Sequence, residues 1–310
     1  MNELFHVIQR EYRTRIRMKS FIVITLLTPL LLSFLFTLPT HFARQHEDYQ
    51  PTSAVSIERK ALEEAPEKTQ LPNNQFQHFL CMALGTGIYL CIFLFSSQVM
   101  RGVLEEKSNR IVELIITSIS PVRFMTGKII GIALLGLTQI ACWLLVMYGV
   151  TYCLSGDSAT GLIGGFMDRI DFRVIIPAFL FFFIGGYLLY SSVFAAIAAA
   201  ANHNDDIQQV TLIVTIPLIL SVIVLSSAIN TPDSSLVYWF SIIPFTSPVV
   251  MMGRMAYGVP FQDVLLSILL LAATVVLMIW ISGKVYRMAI LYTGKKVSMK
   301  EIISWISNAS

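Results

Sequence analysis

Residues 101–128 read RGVLEEKSNRIVELIITSISPVRFMTGK, a charged island between two long apolar runs, with Arg101, Glu105, Glu106, Lys107, Arg110 and Glu113 inside thirteen positions. Set on a helix, Leu104, Ile111, Leu114 and Ile115 share one face, while Glu105, Glu106, Asn109, Arg110 and Glu113 mark the rest. Such a surface suits docking onto a charged partner, and it also describes an ordinary amphipathic loop helix. Glu106 and Arg110 stand at i,i+4 in the favourable order, a pairing worth only about 0.2–0.5 kcal/mol when exposed. They either brace their own helix or offer charge to a partner. Ser120 followed by Pro121 reads as the cap and first turn of a new helix, which enters the next apolar run through Gly127 and Gly131.

Other chemistry is missing from the sequence. Gly127-Lys128 and Gly294-Lys295 each lack the preceding Gly and the following Ser or Thr of a phosphate-binding loop, so the chain has no ATP-hydrolysing motif of that kind. It contains no HExxH, no CxxC and no serine nucleophile elbow, and His6, His41, His46, His78 and His203 are scattered without metal-ligand spacing. No catalytic residue and no metal ligand is therefore assigned. Cys81, Cys91, Cys142 and Cys153 lie in or beside apolar runs and read as small packing residues. The centres of the apolar runs hold no Asp, Glu, Lys, Arg or His, the residues that mark proton relays and ion-coupled sites in self-powered carriers. Neutral polar residues there, Gln98, Gln139, Ser191, Ser192, Thr211 and Thr215, read as hydrogen bonders between packed helices. If something is moved, the energy comes from elsewhere.

The elements that carry the island are set by hydropathy. Of 310 residues, 55% are hydrophobic and only 13% charged, and the mean hydropathy of +0.69 lies outside the soluble range. This is an integral membrane protein, and its net charge of +3 is too mild for nucleic-acid binding. Six runs are long enough to cross a bilayer as helix: 20–38, 79–100, 127–154, 174–201, 210–230 and 264–286. The first follows five basic residues but is too long for a signal peptide and lacks a cleavage site, so it is read as a retained anchor. A further apolar stretch within 236–260 carries Pro244 and Pro248, with Arg254, Gly258 and Pro260 close behind, which predicts a broken, re-entrant hairpin. With six spans, fifteen Lys and Arg fall on the side of both termini and the island, against seven on the other. That asymmetry places the termini and the island in the cytosol and the hairpin outside.

The flanking segments complete an all-α membrane fold. Residues 1–19 predict a helix with Phe5, Ile8, Tyr12 and Ile16 spaced three or four apart, either lying in the membrane interface or serving as a basic flank that fixes topology. Residues 41–78 form a polar, acidic outer loop too poor in apolar residues for a core of its own. In the tail, 291–310, Ser298 and Glu301 make a capping box for a short amphipathic helix that rests on lipid or on another subunit.

Several of these pieces together resemble one family. Glu105-Glu106-Lys107, Arg110, Glu113, Ser120-Pro121 and Gly127-Lys128, the hairpin Ile243-Pro244-Phe245-Thr246-Ser247-Pro248 with Met251 and Arg254, and the tail Leu291-Tyr292-Thr293-Gly294-Lys295-Lys296 are similar to the signature of type-2 exporter permeases of ABC transporters, in their sodium-efflux (NatB-like) branch. The resemblance implies a six-helix permease of the inner membrane, paired with an identical or paralogous permease and with separate cytosolic ATPase subunits that bind the ATP and Mg. It further implies that 101–117 is the coupling helix, with Arg101, Glu105, Glu106, Lys107, Arg110 and Glu113 as charged contacts or internal braces. His203-Asn204-Asp205-Asp206 would be a second contact, through Asp205 and Asp206. Pro244, Phe245, Ser247, Pro248 and Arg254 would shape the outer gate. Members of this branch commonly carry a much larger domain between the first two spans, where about 38 residues stand here, so the substrate stays open between sodium and another small or amphipathic solute. A channel or carrier without an ATPase, or a membrane scaffold that recruits cytosolic partners, is the alternative on the residues alone.

Overall fold

The computed structural model describes residues 2–19, 21–23, 25, 27, 73–108, 120–154, 172–201, 204–229 and 231–291. Among these every regular element is helical: α1 (Asn2–Ile16), α2 (Asn73–Ser108), α3 (Pro121–Leu154), α4 (Phe172–Ala200), α5 (Asn204–Ala228), α6 (Ser235–Ile242), α7 (Ser247–Arg254), a 3-10 turn (Met255–Tyr257) and α8 (Phe261–Leu291). Most of the first predicted span, most of the loop 41–78, the second part of the island (109–119) and the tail 292–310 lie outside the described residues.

Five of the described helices are long and apolar enough to cross a bilayer: Leu80–Lys107, Pro121–Val146, Arg173–Ala200, Thr211–Ala228 and Phe261–Ala289. Two boundaries differ from the hydropathy reading. Helix α2 begins at Asn73, several residues before the apolar run, and continues through the start of the island to Ser108. Nothing between Met100 and Ser108 breaks a helix, since the segment has no proline and Gly102 alone costs about 1 kcal/mol. Arg101 to Lys107 are therefore the last turns of a spanning helix. Helix α3 starts at Pro121 as its Ser-Pro signal predicts, and Phe124 donates its N–H to the Ser120 carbonyl at 3.1 Å.

The chain divides into two compact units. One holds 1–16, 77–137 and 171–310, and the other 17–76 and 138–170. In the first, the core forms around the proline hairpin. All eight residues of α7 are buried, and Val250 joins Cys81, Val224, Leu225, Ala228 and Val237 in one apolar cluster. Small residues admit this short helix: a Cβ on Gly186 would stand 3.0 Å from Pro248 Cγ, and one on Gly253 would stand 3.1 Å from the Cys81 carbonyl oxygen. Between α6 and α7, Thr246 Oγ1 donates to the Phe240 carbonyl at 2.6 Å, which satisfies an acceptor that Pro244, four residues on, cannot serve. Gly258, at φ 78°, takes the left-handed conformation that closes the 3-10 turn. In the second unit the described part is mainly residues 138–154 of α3, where Leu144 and Leu145 are exposed.

Candidate functional site

Glu106 and Lys128 meet inside the first unit. Lys128 is 1% exposed and Glu106 8%. The ammonium Nζ donates to Glu106 Oε2 and to the Gly102 carbonyl at 2.8 Å, and it sits 5.5 Å from the Phe124 ring centroid. Two formal charges are thus neutralised where the last turns of α2 cross the first turns of α3. In a low-dielectric setting such a pair is stable only when hydrogen bonds complete it. The Gly102 carbonyl supplies one, and the Phe124 face adds a cation–π contact.

Helix α1 closes over the same corner. Val7 and Glu11 are buried, and Arg15 Nε donates to Glu11 Oε2 at 3.3 Å. Residues 7, 11 and 15 form one i,i+4 stripe that lies along α3 and reaches α2. A Cβ on Gly127 would stand 2.8 Å from Val7 Cγ1, one on Gly131 would stand 3.2 Å from the Ile8 carbonyl oxygen, and one on Gly102 would stand 2.7 Å from Arg15 Nη2. Periodicity alone nominates Phe5, Ile8, Tyr12 and Ile16 as the apolar face, yet Phe5 is 63% exposed. The glycine groove of α3 decides otherwise, because backbone closeness there lets Glu11 bury its stem and turn its carboxylate to Arg15.

Lys107 has a different task from its neighbour. Its Nζ donates to the carbonyls of Ala199 at 2.5 Å and Ala201 at 2.8 Å. A cation on the last carbonyls of α4 matches both the unsatisfied acceptors and the negative end of the helix dipole. Replacing Lys107 with methionine keeps the stem and removes the donor. We expect a loss of about 1–2 kcal/mol, because the ammonium is half-buried and makes two charge-assisted bonds. Thermal unfolding in detergent checks this, and a melting point equal to wild type would deny Lys107 the capping role.

At the proline hairpin a second charge is buried. Arg254, 4% exposed, donates from Nη1 to Ser241 Oγ at 2.7 Å, places Nη2 3.8 Å from Asp263 Oδ2, and faces the Tyr238 ring at 5.8 Å. Ser241 Oγ donates to the Tyr238 carbonyl at 2.7 Å and its own carbonyl accepts from Ser267 Oγ at 2.9 Å. This chain of bonds ties α6, α7 and α8 together. Tyr190 Oη donates to the Phe245 carbonyl at 2.8 Å, with the two rings edge to face at 6.0 Å. Ser247 is fully buried, and its hydroxyl has no hydrogen-bond partner among the described residues.

A family description, ABC-2 family transporter protein, matches residues 43–284. The chain belongs to the ABC-2 transporter family. It is similar to the uncharacterized protein YhaP of Bacillus subtilis (strain 168), at 28% identity over 219 residues that cover 69% of this chain and 52% of the relative. It is also similar to the uncharacterized protein MJ1024 of Methanocaldococcus jannaschii, at 26% identity over 220 residues that cover 71% of this chain and 51% of the relative. The chain spans about half the length of these relatives. No solved structure matches it. With the family and the apolar helices together, this is a multi-pass membrane protein of ABC-2 type.

The site residues expected from the sequence of this ABC-2 protein are distributed unevenly. Arg101 and Glu105 are exposed on the last turns of α2, whereas Glu106 turns inward to Lys128. Arg110 and Glu113 lie outside the described residues, as do the C-terminal capping-box residues. Asp205 and Asp206 belong to the first turn of α5. Pro244 and Phe245 form the turn between α6 and α7, and Ser247, Pro248 and Arg254 belong to α7. Sequence reasoning missed the pairing of Glu106 with Lys128 and the entry of Glu11 and Arg15. The available signal was Lys128 itself, a charge set between Gly127 and the apolar Ile129-Ile130 where no lipid-facing lysine belongs.

Proposed function

We propose that this ABC-2 protein is the membrane permease subunit of an ATP-binding-cassette exporter, seated in the cytoplasmic membrane with both termini in the cytosol. It works with a second permease subunit, identical or paralogous, and with separate cytosolic ATPase subunits that hold the ATP and Mg. The observation that carries this reading is the corner built by α1, α2 and α3. There Glu106 and Lys128 lock two spanning helices at one end, while Arg101 and Glu105 on the same turns face outward. A rigid end with exposed charge is what an external motor needs, since a push on the charges moves both spans as one body. These 310 residues contain no phosphate-binding loop, and on this reading the motor lies in the separate ATPase subunits.

The sodium-efflux branch is supported by the island string and the Tyr292-Thr293-Gly294-Lys295 tail. The buried hydroxyls of Ser97, Ser191 and Ser192 each bond a carbonyl of their own helix, at 2.9, 3.3 and 2.8 Å, the back-bonding expected of serine inside a helix. Flux of sodium and of an amphipathic dye, measured side by side in proteoliposomes, identifies the substrate class.

The permease reading is tested by reversing the outward charges. Arg101→Glu with Glu105→Lys is expected to weaken capture of the partner ATPase about tenfold, since charges at an interface steer association and exclude wrong partners. The variant chain should still fold, with a cooperative melting transition in detergent. Wild-type binding and wild-type stimulation of ATP turnover in that folded variant would remove this surface from the docking site.

A further inference from the structure

Towards its C-terminal end, α8 presents its outward side chains in a definite order. Val276 and Leu277 are exposed, and Trp280, one turn on, is 54% exposed. The next positions on the same stripe are Lys284 and Arg287, four and seven residues past the tryptophan. Lys284 Nζ lies 4.0 Å from the Trp280 ring centroid, a contact that holds the ammonium close to the indole, and Arg287 is exposed. Apolar, aromatic, cation, cation is the order in which a phospholipid changes from chain to headgroup. Indole rings settle at headgroup level, and basic residues just beyond them meet phosphate. Residues 264–291 contain no Asp or Glu, so this end of α8 has no carboxylate of its own. Gly283 lies against the first turn of α3, where a Cβ would stand 3.8 Å from Val122 Cγ1. Val122 is exposed, and so is Arg123 after it, so both helices bring exposed positive charge to this end.

We propose that Trp280, Lys284 and Arg287 form a site for one anionic phospholipid, its phosphate on the two cations and its chains along Val276 and Leu277. A protein neighbour would account for the apolar stripe but gives no reason for two cations at its end. An anionic lipid accounts for both. A zwitterionic lipid carries an ammonium beside its phosphate and gains less from the same pair, so the site selects by headgroup charge. The selection is independent of what the chain transports and of which ATPase it meets.

The test uses the full chain in phosphatidylcholine vesicles that contain either phosphatidylglycerol or phosphatidylcholine brominated on its chains. Bromine quenches the emission of an adjacent indole, and the difference between wild type and Trp280→Phe isolates Trp280 from Trp143, Trp239 and Trp305. Phosphatidylglycerol should be preferred at Trp280 about thirtyfold, about fivefold for each cation. Lys284→Gln with Arg287→Gln should bring that ratio near one. Arg10→Gln with Arg13→Gln, which removes the same charge from exposed positions of α1, should leave it unchanged. Inorganic phosphate should not displace the lipid. If the α8 double variant does not fold, the wild-type ratio still decides, since a value near one overturns the proposal. A preference that survives in the α8 variant, or that falls equally in the α1 variant, overturns it as well, the latter by showing diffuse attraction without a site. Displacement by inorganic phosphate would make this a site for a free anion, and quenching of Trp280 by neither lipid would mean that another protein chain covers this face. Either result sinks the lipid site.

Discussion

Lys128→Ala is expected to be the most damaging single change among the described residues, lowering stability by about 3–5 kcal/mol. The cost does not come from the loss of attraction alone. With the ammonium gone, Glu106 is left as a carboxylate 8% exposed, and the Gly102 carbonyl loses its donor. A stranded buried charge is worse than no charge, so the neutral double variant Glu106→Gln with Lys128→Met should recover most of the loss. The apparent melting point in detergent should fall by about 10 °C in the single variant and by much less in the double. Equal losses in both would show that packing volume, and not the unpaired carboxylate, sets the cost. Because the pair joins α2 to α3, the single variant should also uncouple ATP turnover from transport wherever it still folds.

The second large effect is expected at the proline hairpin, where Arg254→Ala should cost about 2–4 kcal/mol. Two interactions at Arg254 differ in weight. The bond to Ser241 Oγ is short and buried at 2.7 Å. Asp263 stands 3.8 Å away with its side chain 21% exposed, so solvent screens much of that attraction, leaving roughly 0–1 kcal/mol. Asp263→Asn should therefore be mild, whereas Arg254→Ala and, to a lesser degree, Ser241→Ala should loosen α7 from α6 and α8. Hydrogen exchange reads this locally: protection should drop at 247–254 in Arg254→Ala and stay near wild type in Asp263→Asn. The reverse order would mean the ion pair, and not the hydroxyl bond, holds the hairpin. Arg254→Lys is not a conservative exchange here, since a single ammonium cannot reach the hydroxyl and the carboxylate together while facing the Tyr238 ring.

These two sites mark where reading from the sequence was adequate and where it was not. Hydropathy placed the five described spanning helices, and Ser120-Pro121 placed the start of α3, because both are local properties of the chain. Pro244 and Pro248 announced the break between α6 and α7, since a proline denies a helix its hydrogen bond wherever the chain goes next. The partner of Glu106 was a different matter. Helical spacing offers Arg110, four residues on, as the facing cation, while the structure pairs Glu106 with Lys128, twenty-two residues away on the next helix. A similar limit applies to Lys107, which the resemblance leaves open between a charged contact and an internal brace, and which the structure places on the carbonyls that end α4.

Sequence by itself determined that this chain is an all-helical membrane protein with a charged island and no hydrolytic motif of its own. The reason is that bilayer insertion depends on runs of residue type, which the chain states in order. Only the tertiary structure decided which charges meet and which face outward. Gly127 and Gly131 are small wherever they stand, but they become a groove only when α1 lies across them. Glu106, Lys128 and Arg254 are buried only because helices distant in sequence close around them, and burial is what turns a charge from a surface feature into a structural one.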